Sequence, residues 1–130
     1  MNNTDSIIRI GKINYTNAWP MYHYFPMEGL HGLTEFDSQV PTGLNKALAA
    51  GEIDMGPISS FSYGEHFEHY MMYPNLSVSA KNKVNSILLF HREPLEVIKD
   101  GRFALPTTSA TSVHLLKKIL LQVLRRLAPL

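Results

Sequence analysis

From Thr107 to Ser112 the chain places five hydroxyl side chains in six residues, Thr107, Thr108, Ser109, Thr111 and Ser112, directly ahead of a long apolar-periodic segment. At the mouth of a helix the first backbone N–H groups are unpaired and the axial dipole favours negative charge, so neighbouring hydroxyls add neutral donors to an anion site. A carboxylate or a phosphate is satisfied there without a lysine. An ordinary helix cap needs only one of those hydroxyls, and taken alone capping is the commoner use of such residues. A second polar junction, Asn14-Tyr15-Thr16-Asn17, follows the β-like run "IIRIGK" and restarts on Trp19-Pro20. The Asn17 amide both donates and accepts, which suits orienting a hydroxyl or a carboxylate; an Asx turn closing the strand exit uses the same atoms. Tyr15, Trp19 and Tyr22 stack on a planar ring or belong to a core, and one motif does not decide between the two.

A third junction, Ser59 with Ser60, leads from "MGPI" into "FSYGEHF". Ser86 opens the run "SILLFHR", where a strand-edge polar residue is the plainer reading. His66 and His69 in "EHFEHY" are three apart, close enough for one helix face, but there is no His-Glu-x-x-His arrangement and no third ligand. A solvated face is favoured over a metal pair, and no metal is expected. No Gly-x-Gly-x-x-Gly or Walker loop supports a nucleotide, and no cofactor is expected.

Short apolar runs alternating with helical patterns position these junctions, the rhythm of an α/β fold on a largely parallel sheet. Strands are expected over residues 7–13, 33–40, 53–58, 76–80, 86–91 and 102–105. Helices are expected after Pro20, from Pro41 to a stop at Gly51, after Ser60 and over the final segment, and a short helix or turn in "EPLEVIKDG" ending near Gly101. In that last helix Val113, Leu116, Ile119, Leu120, Val123, Leu124 and Leu127 share a face opposite His114, Lys118, Gln122 and Arg125. Leu115 and Leu121 blur the stripe, as in a helix packed on more than one side. Strand exits carry ligands in parallel α/β sheets, and all three junctions sit at such exits.

Composition narrows the function classes. The 130 residues are 45% hydrophobic and 18% charged with net charge +1, which is globular and gives no footing for nucleic acid. Zero Cys excludes disulfides and thiol chemistry and fits a reducing compartment. "MNNTDSIIRIG" lacks a basic n-region and an apolar h-region, and no apolar run approaches the roughly 20 residues of a membrane span, so a cytoplasmic protein with no membrane partner is expected.

Four blocks in order carry a resemblance: "RIGKINYTNAWP", "VPTGLNKALAAGEIDMGPISSFSY", "NSILLFHREPLEVI" and "LPTTSATSVHLLKKIL". They resemble the chorismate dehydratases, the menaquinone-biosynthesis family at the entrance of the futalosine route, whose strand-to-loop opening reads Ser-Tyr-Leu-Asn-x-x-Pro. The family's second block, a Pro-started helix, an acidic Gly-(Glu/Asp)-(Leu/Ile)-Asp turn and a Pro-x-Ser exit, is similar to residues 40–63. The sister synthase of that pathway shares the fold but opens on a Cys-Pro-Asn-like loop, which is absent here.

The resemblance implies an α/β fold of the type II periplasmic-binding-protein-like kind, two lobes closing on a ligand. Residues 1–90 would form the first lobe and 91–130 the incomplete beginning of the second, because the family runs to about twice this length. Such a truncated chain would expose the apolar face of residues 113–127 and favour self-association. The implied reaction is loss of water from chorismate, a small dicarboxylate, to give 3-[(1-carboxyvinyl)oxy]benzoate. Asn17 and Ser86 fall on the family positions at the reacting part of the substrate; Tyr15, Ser59, Ser60, Thr108, Ser109, Thr111 and Ser112 would bind it. Neither Asn17 nor Ser86 is a strong base, so the base would be the substrate's own carboxylate or a residue outside these motifs. A non-catalytic cytoplasmic module capturing a small carboxylate is the alternative, and a compact self-sufficient α/β domain is a third reading.

Overall fold

The computed structural model describes residues 7–26, 28–94, 97–98 and 101–127, with side chains in the last helix described as far as Val123. Ile8–Ile13 forms β1 and Thr34–Gln39 forms β2, paired in parallel with Ile8 opposite Thr34 and Ile13 opposite Gln39. On the other edge of β1, Met55 makes an isolated parallel bridge to Ile10. There the Gly11 N–H donates to the Met55 carbonyl at 2.8 Å and the Asp54 N–H to the Arg9 carbonyl at 2.8 Å. β1 is therefore central, flanked by β2 and by the segment around Met55.

The chain steps from β1 to β2 on one side, then crosses back over β1 to Met55. Right-handed crossovers send two such connections to opposite faces of the sheet. Side-chain contacts agree. Residues registered across a ladder share a face, and Phe36, opposite Ile10, meets Phe25 edge-on with ring centroids 5.5 Å apart, just beyond helix α1 (Trp19–His23). On the reverse face, a Cβ built on Gly11 would meet Leu44 of α2 (Pro41–Ala49) and Ile53, each at 2.8 Å. Leu44, Ala47 and Ile53 are buried as one cluster, with Ile13 and Leu48 packed against it.

Local rules explain the limits of α2. Pro41 opens it with a φ already helical and no N–H to leave unpaired. Gly51, at φ +71°, closes it: the Gly51 N–H reaches the Leu48 carbonyl at 3.1 Å and the Glu52 N–H reaches that of Ala47 at 2.8 Å, the paired bonds of a Schellman motif. Helix α3 (Ser60–His66) runs into a 3-10 turn, Phe67–His69, and α4 spans Ala110–Leu127. α4 packs on α3, where the His114 ring stacks on Phe61 at 3.6 Å and 12°.

The expected helices after Pro20, from Pro41, after Ser60 and over the final segment are all present, as are the first two strands. The third strand reduces to the single bridge at Met55, because Gly56 and Pro57 end the pairing and Pro57 has no N–H to give a ladder. The strands expected over residues 76–80, 86–91 and 102–105 do not form. A strand needs a neighbour for its N–H and C=O groups, and Val78, Ile87, Leu88 and Phe90 stand exposed with no such neighbour among the described residues. "EPLEVIKDG" falls partly outside the described residues; a turn at Val97 closes on the Pro94 carbonyl at 2.9 Å. Leu115 and Leu121 are 49% and 57% exposed, so the described part of α4 is packed on one side rather than several.

Two contacts hold the Met55 segment to β1. A Cβ on Gly56 would lie 3.1 Å from the Gly11 Cα and 3.3 Å from its nitrogen, both backbone atoms that a side-chain rotation cannot move aside. Arg9 donates through Nε to Asp54 Oδ2 at 3.1 Å, through Nη2 to Oδ1 at 2.9 Å and to the Gly51 carbonyl at 2.8 Å, while its backbone N–H reaches Asp54 Oδ2 at 2.7 Å. Gly56→Ala is expected to lower stability by about 1–3 kcal/mol, measured by urea unfolding. Asp54's carboxyl is held below its usual range, first by the Arg9 side chain and then by the Arg9 backbone N–H. A carboxyl whose pKa drops on folding adds stability above its unfolded value and loses it as pH falls through the folded value. The thermal midpoint should therefore fall on acidification below the ordinary carboxylate range, and Asp54→Asn should start lower near neutrality and fall less steeply.

Candidate active site

An open cleft of about 450 Å³ lies at the carboxyl end of β1. Its floor and rim come from Lys12 and Ile13 of the strand and from Asn14, Tyr15 and Thr16 of its exit; Trp19 and Tyr22 of α1 form the far wall. This is where ligands sit in parallel α/β sheets, at the strand from which neighbouring connections depart to opposite faces. The Tyr22 hydroxyl donates to the Gly11 carbonyl at 3.2 Å, which fixes the ring. Burial pushes the Tyr22 phenol up, with the Ile13 backbone opposing, so the group stays neutral. Tyr15 and Trp19 are 45% and 57% exposed, so they are cleft wall rather than core. The Lys12 Nζ stands 5.6 Å from the centre of the Tyr22 ring.

Asn17 sits beside the cleft, exposed in the turn over residues 15–18. That turn closes through backbone bonds, Ala18 N–H to the Tyr15 carbonyl at 3.0 Å and Trp19 N–H to the carbonyls of Tyr15 and Thr16. The Asn17 amide makes no hydrogen bond among the described residues, so an Asx turn is not its use.

Ser59 caps α3. Its Oγ accepts from the Ser62 N–H at 3.1 Å and from Nδ2 of buried Asn45 at 3.1 Å, while the Ser59 N–H donates to Asn45 Oδ1 at 3.0 Å. Both acceptor positions of the hydroxyl are filled, and its proton has no acceptor among the described residues. Ser60 is exposed at the first position of α3. In the hydroxyl-rich turn Ser109 is the cap: its Oγ meets Ser112 Oγ at 2.7 Å and takes the Ser112 N–H at 3.4 Å. Thr111 Oγ1 is buried without a partner among the described residues, Thr108 is exposed, and the Thr107 carbonyl accepts from Thr42 Oγ1 at 3.3 Å. Ser86 lies exposed in an irregular stretch, with no side-chain hydrogen bond to a described residue.

The structure thus brings the first junction and the aromatic trio into one cleft. Asn17 flanks that cleft; Ser59, Ser60, Ser86, Thr108, Ser109, Thr111 and Ser112 are not part of its lining. The Thr107–Ser112 turn is tied instead to the start of α2, and Ser59 to its second turn. His66 lies against Tyr70, rings 5.6 Å apart, and among the described residues no three His, Cys, Asp or Glu come together as metal ligands. Two residues escaped the sequence reading: Lys12, whose place near the carboxyl end of the first strand was the available signal, and Asn45, which reads as one polar position in an amphipathic helix.

A family described as menaquinone biosynthesis matches residues 8–128. Over 111 residues the chain is 37% identical to a chorismate dehydratase of Thermus thermophilus, a span that covers 85% of this chain and 39% of that relative. The chain therefore spans well under half the length of the curated relative it matches. No solved structure matches it. Matched from the first strand to the end of the last helix, the chain belongs to the menaquinone-biosynthesis family.

Proposed function

We propose that the protein is a chorismate dehydratase, a lyase that removes water from chorismate, working in the cytoplasm. The observation that carries this reading is the family match, which runs unbroken through the cleft and all three hydroxyl-bearing junctions, together with the dehydratase name of a relative 37% identical. The finer architecture belongs to the same proposal. Residues 1–90 make up the first lobe of a type II periplasmic-binding-protein-like fold, and 91–130 open the second. Among the described residues no helix is long and apolar enough to cross a membrane. Exposed Leu115, Ile119 and Leu121 on α4 support self-association of the chain.

In this reading one ring carbon of chorismate loses its hydroxyl and the neighbour bearing the enol ether loses hydrogen. The C–H pair becomes a ring π bond, the C–O pair leaves with oxygen, and proton plus hydroxide depart as water from a newly aromatic ring. Asn17, beside the cleft, donates to the departing hydroxyl and orients it, and a substrate carboxylate takes the proton first; Ser86 stands outside the lining of this cleft. Holding the substrate with carboxylate and C–H in register is then the protein's main task, since aromatisation drives the rest.

Incubating the purified chain with chorismate and following the loss of its ultraviolet absorbance tests the proposal, with binding measured by calorimetry alongside. Turnover supports it; chorismate bound but not consumed supports either the alternative, a module that only captures a small carboxylate, or an inactive fragment of the enzyme. Asn17→Ala should lower kcat on the order of 100-fold while KM shifts only a few-fold, because a donor aimed at developing charge acts in the transition state. Equal losses in binding and turnover would remove Asn17 from that role. Ser59→Ala should cost about 1 kcal/mol of stability as a lost cap, and should raise KM if the free Ser59 proton reaches the substrate.

A further inference from the structure

We propose that Lys12 is the cation that receives the ring carboxylate of the substrate, with the Trp19–Tyr15 wall against the ring face; the substrate's identity rests on the dehydratase reading, the site itself on the cleft. Lys12 is half-buried on the α1 face of β1, and its ammonium lies over the Tyr22 ring. That ring is held in place by its own bond to the Gly11 carbonyl. No Asp or Glu lines the cleft, and the described ion pair of the molecule, Arg9 with Asp54, belongs to the opposite face of the sheet. The cleft therefore holds one positive charge with an aromatic neighbour but no carboxylate partner among the described residues. An ammonium beneath a π-face is stabilised on that side and keeps its remaining protons for an anion.

The shape of the anion follows from the walls. Exposed indole and phenol rings form an apolar surface for a flat ring, while Asn14 and Thr16 supply neutral polar groups at the rim. A phosphate, which takes several donors or a planar guanidinium, finds one ammonium here and no Arg. A cyclic carboxylic acid fits both the charge and the walls. The arrangement divides the labour at a dicarboxylate: Lys12 neutralises and anchors one carboxylate, which leaves the other free of strong cationic contact in this cleft and able to act as a base.

Trp19 is the single tryptophan of the chain and lines the cleft, so its fluorescence reports occupancy. The wild-type chain, Lys12→Gln and Lys12→Arg are titrated with chorismate, benzoate and methyl benzoate, with calorimetry as a second readout and circular dichroism to verify folding. The expected result is saturable binding of chorismate and benzoate, with a Kd raised roughly 10- to 100-fold in Lys12→Gln by loss of a charge-assisted bond. Lys12→Arg should stay within a few-fold, and methyl benzoate should bind weakly to all three proteins. Unchanged affinity in folded Lys12→Gln, methyl benzoate binding as well as benzoate, or no ring acid altering Trp19 would overturn the assignment. Lys12-dependent binding of benzoate without any response to chorismate would leave the cation site standing and sink the dehydratase reading. Chorismate turnover with the same KM in wild type and Lys12→Gln would do the reverse.

Discussion

Two glycines facing each other across the middle of the molecule set how closely the chain can pass β1. The Gly11 and Gly56 backbones approach so nearly that a single added methyl carbon on Gly56 would sit 3.1 Å from the Gly11 Cα. Only at that separation can the Gly11 N–H reach the Met55 carbonyl at 2.8 Å. The approach gives β1 a partner on its second edge and brings Ile53 under Leu44 and Ala47, where the apolar cluster forms. The Arg9–Asp54 clamp lies two residues before each glycine, so charge-assisted bonds hold the register that the glycines permit. With β1 bonded on both sides, its exit at Lys12 to Asn14 has a defined direction, and the cleft depends on that direction.

The same chain shows what happens when backbone partners are missing. Residues 8–69 alternate strand, helix and turn because every element has a neighbour in sequence order: β2 for β1, α2 for Ile13 and Ile53, Asn45 for Ser59. Residues 76–91 are at least as apolar, but Leu88 is 65% exposed and Phe90 86%. Burying a side chain of that size is worth about 1.5–3 kcal/mol, comparable with fixing the backbone of only one or two residues. A strand edge must therefore contribute hydrogen bonds as well before such a run orders, and among the described residues none is paired with this one.

That contrast explains what was legible in the sequence. Pro41 and Gly51 announce both ends of α2 through conformations that belong to those residues alone, and the apolar period of the last helix survives in the half-buried Val113, Leu116, Leu120 and Val123. Strand propensity in "LSVSA" and "SILLF" describes a side chain that suits a pleated surface and says nothing of whether the surface exists. The polar junctions were visible as junctions, yet their division was not. "PTTSATS" holds a cap at Ser109, a buried unpaired hydroxyl at Thr111 and an exposed Thr108, and nothing in residue type distinguishes them. Asp54 reads as part of an acidic turn; its work, gripping Arg9 across 45 residues of chain, is a long-range contact that no local pattern encodes. Lys12 falls in the phase of Ile8 and Ile10, so the strand pattern marks it as out of place without telling what it faces.

The cleft's inventory bears on how a dehydration can run there. Its lining has an ammonium, one side-chain amide, one aliphatic hydroxyl, an indole and two phenols, with Tyr22 kept neutral by burial. None of these takes a proton from carbon near neutral pH, and neither do Asn17 and Ser86. On the dehydratase reading the substrate must then bring the base, and a dicarboxylate has one to spare once the other is anchored. A cation placed midway between both carboxylates would lower the basicity of each. Under the proposed function, Lys12 at the floor of the cleft, over the Tyr22 ring, would hold one and leave the second its basicity. A site with one fixed charge and several neutral donors suits this chemistry better than a richly cationic pocket, which would bind the dianion tightly and quench the only base available.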